Sequence, residues 1–143
     1  LFYTKLSESK NETLAAIAAK SLKEVKYHLR HSSNWLIRLG DGTQESNLKV
    51  QDALDYLWQY TGELFEMDEI DNEMLDQGIG VDNSKLKKAW DEIVNNTLIK
   101  ANLNRPEDGY MASGSKKGIH TEHLGFLLAE MQFLPRAYPD AKW

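Results

Sequence analysis

The sequence contains no cysteine. That excludes disulfides, thiolate catalysis and cysteine-ligated zinc, and it fits a reducing compartment, so a cytoplasmic location is expected. Positive charge is also scarce: 17 Lys and Arg face 22 Asp and Glu, for a net charge of -5. A nucleic-acid binder needs a basic face to neutralise phosphates, so no nucleic-acid partner is expected. No apolar run approaches the ~20 residues of a membrane span, so no membrane partner is expected either. No segment alternates with period two for long enough to make a strand, and no internal repeat is present. The chain also lacks an initiator Met and opens on "LFYTKLSES" in mid-pattern, with Phe2 and Tyr3 at helical spacing from Leu6. The expectation is the tail of a helix, hence a domain that is incomplete at its N-terminus.

What is present points to helices. A chain of 143 residues is long enough for one domain with a sizeable core. Its 41% hydrophobic and 27% charged residues are globular proportions. A single domain over residues 1–143 is therefore expected. After "SESKNE", where Ser7, Ser9 or Asn11 can cap a helix, Leu14, Ala18, Leu22, Val25, Leu29, Leu36 and Leu39 fall on one face. They mark a helix of roughly seven turns with Trp35 at the border of its stripe. "GDGT" ends it, with Gly40 or Gly42 suited to a left-handed terminal position. A second helix is predicted from Glu45 to Met67 and a short one from Asn72 to Gln77. Asp82, Asn83 or Ser84 caps a third long helix bearing Leu86, Ala89, Trp90, Ile93, Thr97 and Ala101. "NRPEDGYMASGSKKG" reads as a loop, and a last helix is predicted from His120 to Leu134, ending at Pro135. Long antiparallel helices with mostly short loops make an all-α helical bundle.

Such bundles house carboxylate-bridged di-iron centres, in which two helices give one Glu each and two others a Glu-x-x-His pair. Glu-x-x-His occurs nowhere in this sequence. The nearest approach is Glu24 with His28, about 40° apart on a helical wheel, with Tyr27 where the motif would place its His. These two are candidates for a degenerate metal site; an ion pair at the edge of the stripe is the plainer reading. His120 and His123 share a spacing of three, but the neighbouring Glu122 points elsewhere, and zinc would need a third ligand. Trp35, Trp58 and Trp90 are read as core or interface packing. The acids Glu63, Glu66, Asp68, Glu69, Asp71, Glu73 and Asp76 are read as a solvated face, without the ligand order of a calcium loop. "SGSKKG" lacks the preceding strand and the spacing of a phosphate-binding loop.

Three stretches carry a resemblance: "LAAIAAKSLKEVKYHLRHSSNWLIRLGDGT", "LWQYTGELFEMDEID" and "SGSKKGIHTEHLGFLLAEMQFLPRAYPDAKW". They resemble the PaaC family of bacterial phenylacetate-degradation proteins, the C subunit of the multicomponent phenylacetyl-CoA epoxidase (a ring-oxidising monooxygenase). The resemblance spans essentially the whole chain and corresponds to the C-terminal part of the family's longer sequence. It implies a ferritin-like helical bundle lacking its N-terminal helices, and a non-catalytic structural role in aerobic aromatic catabolism. The di-iron centre is expected in the partner, the catalytic ferritin-like A subunit, and no cofactor is expected in this chain. Self-association through exposed apolar stripe is a further expectation. Lys116 and Lys117, between Gly114 and Gly118, are expected in an exposed turn just before a helix N-terminus, which attracts anions. With His120, Glu122 and His123 in the following turn, they are candidate interface residues for an acidic group of the partner, or for a phosphate of coenzyme A. Two other readings stand beside this one: a di-iron oxygenase subunit using Glu24 and His28, and a stand-alone helical adaptor.

Overall fold

The computed structural model describes residues 1–142. These form two units, Leu1–Ala112 and the residues from Ser113 onward. The first contains α1 (Phe2–Leu6), α2 (Glu12–Gly40), α3 (Gln44–Trp58), α4 (Glu69–Asp76) and α5 (Lys87–Lys100), with 3-10 turns at Gly62–Phe65 and Asn83–Leu86. The second contains a 3-10 turn, Ser115–Lys117, then α6 (His123–Met131) and α7 (Phe133–Ala137). No strand occurs among the described residues, and no described helix is long and apolar enough to cross a membrane. The fold is all-α, as the periodicity implied.

Local chemistry sets most boundaries. The Asn11 side chain accepts from the Leu14 N–H at 3.1 Å and caps α2, which runs 29 residues. The end of α2 differs from expectation, because neither Gly40 nor Gly42 has positive φ. Gly40 lies buried within the last turn, and a Cβ there would overlap the Ala101 carbonyl oxygen and Cβ. Its glycine serves close helix approach. The left-handed residue in this region is Asn102 (φ 53°), just past α5. Thr43 and Ser46 start α3 with a reciprocal capping box, each side chain accepting from the other's N–H at 3.2 and 3.0 Å. Asp68 and Asp71 do the same for α4 at 2.9 Å each.

Several helix boundaries depart from the sequence reading. The short helix expected from Asn72 to Gln77 starts earlier, as α4 at Glu69, because the Asp68–Asp71 box caps it there. The second helix does not continue to Met67. It ends at Trp58, where Thr61 turns its hydroxyl back onto the Trp58 carbonyl (2.8 Å), and Gly62 follows with Met111 packed against its Cα. The third long helix enters through a 3-10 turn before Lys87. The C-terminal helix starts at His123 and not His120, and it is interrupted at Gln132. Pro135 does not end it; this residue sits in the first turn of α7, where a backbone N–H has no intrahelical acceptor.

The core lies where α2, α3 and α5 meet. Leu98, Ala101 and Leu103 are buried, with Leu36, Ile37, Val50, Leu54 and Val94 packed on them. Ala18 and Trp58 are also buried. The α2 stripe is covered only in part, since Leu29 and Leu39 remain 48% and 41% exposed.

The Gly40 contact makes a sharp comparison of two alanine substitutions. Gly40→Ala must push α2 off α5 and should lower stability by about 1–3 kcal/mol in urea denaturation, as overpacked sites do. Gly125→Ala, within α6 and with open space around its Cα, should be neutral or stabilising by up to about 1 kcal/mol. Wild-type stability for Gly40→Ala would contradict the close approach.

Candidate functional site

Between α2, α3 and α5 lies a cleft of about 330 Å³. Its walls include Leu29 and Leu36 from α2, Leu57 and Trp58 from α3, and Trp90 and Ile93 from α5. Three of the wall hydroxyls are turned onto nearby backbone. Ser32 donates to the His28 carbonyl (2.9 Å), Thr61 to that of Trp58 (2.8 Å) and Thr97 to that of Ile93 (2.9 Å). No carboxylate or imidazole lines the cleft. A di-iron centre needs both, so the groups present here do not fit one. What the walls offer is apolar surface.

Trp58, a wall residue of the cleft, is held by a charged clasp. The Trp58 Nε1–H donates to Asp108 Oδ1 at 3.0 Å, and the Arg105 guanidinium lies over the Trp58 ring, 4.9 Å from its centroid. Arg105 also donates to Asp91 Oδ1 and Asn95 Oδ1, both at 2.8 Å. Lys87 reaches Asp91 Oδ2 at 3.0 Å. Trp90 packs 5.7 Å from Trp58 and 5.4 Å from Phe65, ring centre to ring centre. The Trp58 hydrogen bond, aided by the nearby Lys87 and Arg105 charges, holds the Asp108 carboxyl below its ordinary range. Hydrogen bonds from Lys87 and then Arg105 do the same for Asp91. The clasp ties the loop after α5 to both α5 and α3. Sequence reading missed it, because Arg105 and Asp108 stand in "NRPEDG", whose composition says loop and nothing more.

Glu24 and His28 are both exposed on α2. They are neighbours at i, i+4, but no ion pair within 4.0 Å is found between them, so the structure does not show the ion pair of the plainer reading. Among the described residues no group of three or more His, Asp or Glu is arranged to hold a metal ion. His28 instead stands edge-on to Tyr27, at 6.1 Å. Tyr27 begins a row that continues with His31, stacked at 5.8 Å, and Trp35, a further 6.4 Å on. Trp35 is 48% exposed and is not a core residue.

In the second unit, Gly114 (φ 119°) and Gly118 (φ 79°) bracket the Ser115–Lys117 turn in left-handed conformations. The Gly114 carbonyl accepts from the N–H groups of Lys117 (2.8 Å) and Ile119 (3.0 Å), which shapes the loop. Lys116, Lys117, His120, Glu122 and His123 are all exposed. Their arrangement differs from the expected one. Residues 118–122 separate the lysines from α6, and His120 precedes the helix instead of lying in its first turn. Glu122 Oε1 and His123 Nε2 are 4.0 Å apart.

A family model described as phenylacetic acid catabolic protein matches residues 1–143. The chain is 49% identical over 141 residues to the C subunit of the 1,2-phenylacetyl-CoA epoxidase of Escherichia coli (strain K12). That alignment takes in 99% of this chain and 57% of the relative, so the chain spans little more than half the relative's length. The helical fold described above agrees with the ferritin-like bundle implied by the sequence resemblance.

The clasp predicts an acid limb of stability. Both carboxyls titrate below their unfolded values, so the clasp is at full strength above about pH 4. It is lost as pH falls further through the lowered folded-state values. Asp91→Asn should cost about 1 kcal/mol at neutral pH, given its two cationic partners and partial exposure. It should also flatten the loss of stability below pH 4. Denaturant midpoints measured from pH 7 down to pH 3 check both; parallel wild-type and variant curves would count against the clasp.

Proposed function

We propose, for a chain that belongs to the phenylacetic acid catabolic protein family, the role of a non-catalytic structural subunit of a multicomponent phenylacetyl-CoA ring epoxidase. In this reading the oxygen chemistry and the di-iron centre sit in a second ferritin-like subunit, and this chain holds and stabilises that subunit. The observation that carries the reading is the 49% identity, over nearly the whole chain, to a protein named as the C subunit of such an epoxidase. Two features of the chain support it. Its interhelical cleft is walled by apolar side chains that cannot ligate iron. Large apolar residues also stand at the surface, including Phe126, Met131 and Phe133, which are 72%, 69% and 65% exposed on α6 and α7. Exposed apolar surface on this scale suits a permanent interface.

The role separates from a metalloenzyme role by iron content. The purified full-length subunit should hold no stoichiometric iron, and its metal content should not respond to Glu24→Ala. About one or two tightly bound irons per chain, lost in that variant, would sink the structural reading. In reconstitution, omitting this subunit should cut phenylacetyl-CoA turnover by the catalytic subunit by at least about tenfold, through loss of stable catalytic subunit rather than of a reacting group.

The Ser115–Lys117 turn belongs to the same proposal as an interface element, its two lysines meeting an acidic group of the partner, with His120, Glu122 and His123 adding hydrogen bonds. Reversing Lys116 and Lys117 to Glu should weaken assembly about tenfold at low salt, remove much of its salt dependence, and leave the subunit folded by circular dichroism. Unchanged assembly, salt dependence and turnover would reduce the turn to a solvated connection.

A further inference from the structure

Helix α2 has a second face, opposite the one that enters the core. On a helical wheel Ala18 and Leu36 point one way, and Lys23, Tyr27, Arg30, His31, Trp35 and Arg38 point the other. Every one of those six is exposed. Tyr27, His31 and Trp35 form the aromatic row already described, stacked at its first contact and edge-on at its second, with Tyr27 50% and Trp35 48% exposed. The Arg30 guanidinium lies over the Tyr27 ring and that of Arg38 over the Trp35 ring, each 5.6 Å from the ring centre. From Lys23 to Arg38 the stripe is about 22 Å long.

Charge sets this face apart. The helix carries Lys20, Lys23, Lys26, Arg30 and Arg38 against Glu12 and Glu24, in a chain whose total is -5. Five of the chain's 17 Lys and Arg thus stand on this one helix against two Glu, and Lys20, Lys23, Arg30 and Arg38 lie on its outward side, with Glu24 among them. Aromatic rings and arginines are the residues that interface centres favour. Guanidinium groups stacked on rings are held in position before any partner arrives, so less side-chain freedom is lost when a carboxylate binds them.

We propose that this outward stripe of α2 docks an acidic, carboxylate-bearing helix of the partner subunit. The proposal rests on the structural-subunit reading and names the face through which it acts. Charge complementarity chooses the occupant. A second copy laid stripe to stripe would set Lys23, Arg30 and Arg38 against like charges, which disfavours it. A helix bearing Asp or Glu at spacings of three and four would meet the guanidinium groups along one line. Its apolar residues would cover Tyr27 and Trp35.

Photocrosslinking in the assembled complex tests this, using the full-length subunit with a benzophenone amino acid in place of His31. The expected product joins position 31 to a carboxylate-rich helix of another subunit, and mass spectrometry locates it. Arg30→Glu with Arg38→Glu should weaken assembly at least about tenfold at low salt, and Tyr27→Ala with Trp35→Ala should weaken it at all salt concentrations. These side chains are exposed, so circular dichroism should show the variants folded. A complex that forms but crosslinks position 31 to this chain itself, to a second copy or to nothing overturns the proposal and leaves the structural reading standing. Failure of the wild-type chain to form any complex with another subunit overturns both.

Discussion

Helices α2 and α5 cross at Gly40 and Ala101 so closely that residue 40 can carry no side chain. Everything nearby is arranged to hold that contact. The Asn47 amide donates to the carbonyls of Gly40 (2.7 Å) and Asn102 (3.1 Å), so one side chain on α3 pins the ends of both other helices. Asn102 takes a left-handed conformation just past α5, and its own amide donates to Asp41. Ser46, besides capping α3, donates to the Leu39 carbonyl at 2.7 Å. Two helix ends expose backbone carbonyls at one point, and each carbonyl named here finds a side-chain donor. The reversals that follow α2 and α5 are therefore one structure. Leu98 and Leu103, on either side of Ala101, complete the core there.

Farther along the same helices the constraint relaxes and the cleft appears. The hydroxyls of Ser32, Thr61 and Thr97 on its wall donate to nearby backbone carbonyls, which leaves the lining mainly apolar. The polar work is moved outside, to the clasp of Lys87, Asp91, Arg105 and Asp108 around Trp58. This bundle places packing inside and charge at the margins.

The sequence made the helices legible because their stripes are long. The periodicity from Leu14 to Leu39 locates the end of α2 to within a residue, and Asn11, one of three candidate caps, is the one that starts it. It misled where a local event overrode the pattern. The apolar residues after Trp58 keep helical spacing, yet Thr61 and Gly62 break the chain there. Gly40 looked like a helix terminator, although its reason is a neighbour 61 positions away at Ala101. The clasp was illegible for the same reason, since no one-dimensional pattern pairs Arg105 with Trp58 and Asp91. The outer row on α2 was half visible: Tyr27 was placed away from the apolar stripe, but its register with His31 and Trp35 went unread. Among site residues, the search for Glu-x-x-His drew attention to Glu24 and His28, which the fold leaves exposed on α2.

The distribution of exposed apolar surface bears on how this chain is stabilised. Leu29 and Leu39 of the α2 stripe, and Phe126, Met131 and Phe133 of α6 and α7, are each between 41% and 72% exposed. Burying a side chain of this size completely contributes about 1.5–3 kcal/mol. Covering what remains exposed on these five would therefore contribute several kcal/mol, comparable to the ~5–15 kcal/mol net stability of a typical domain. On the proposed reading, assembly is then a large part of what holds the fold together. The coupling runs in both directions: whatever seats against these residues stabilises the chain by mass action, and the chain in turn stabilises what it holds. On that reading the chain acts through this linkage, and the pinned crossing of α2 and α5 keeps the long α2 faces in fixed register while the contact forms.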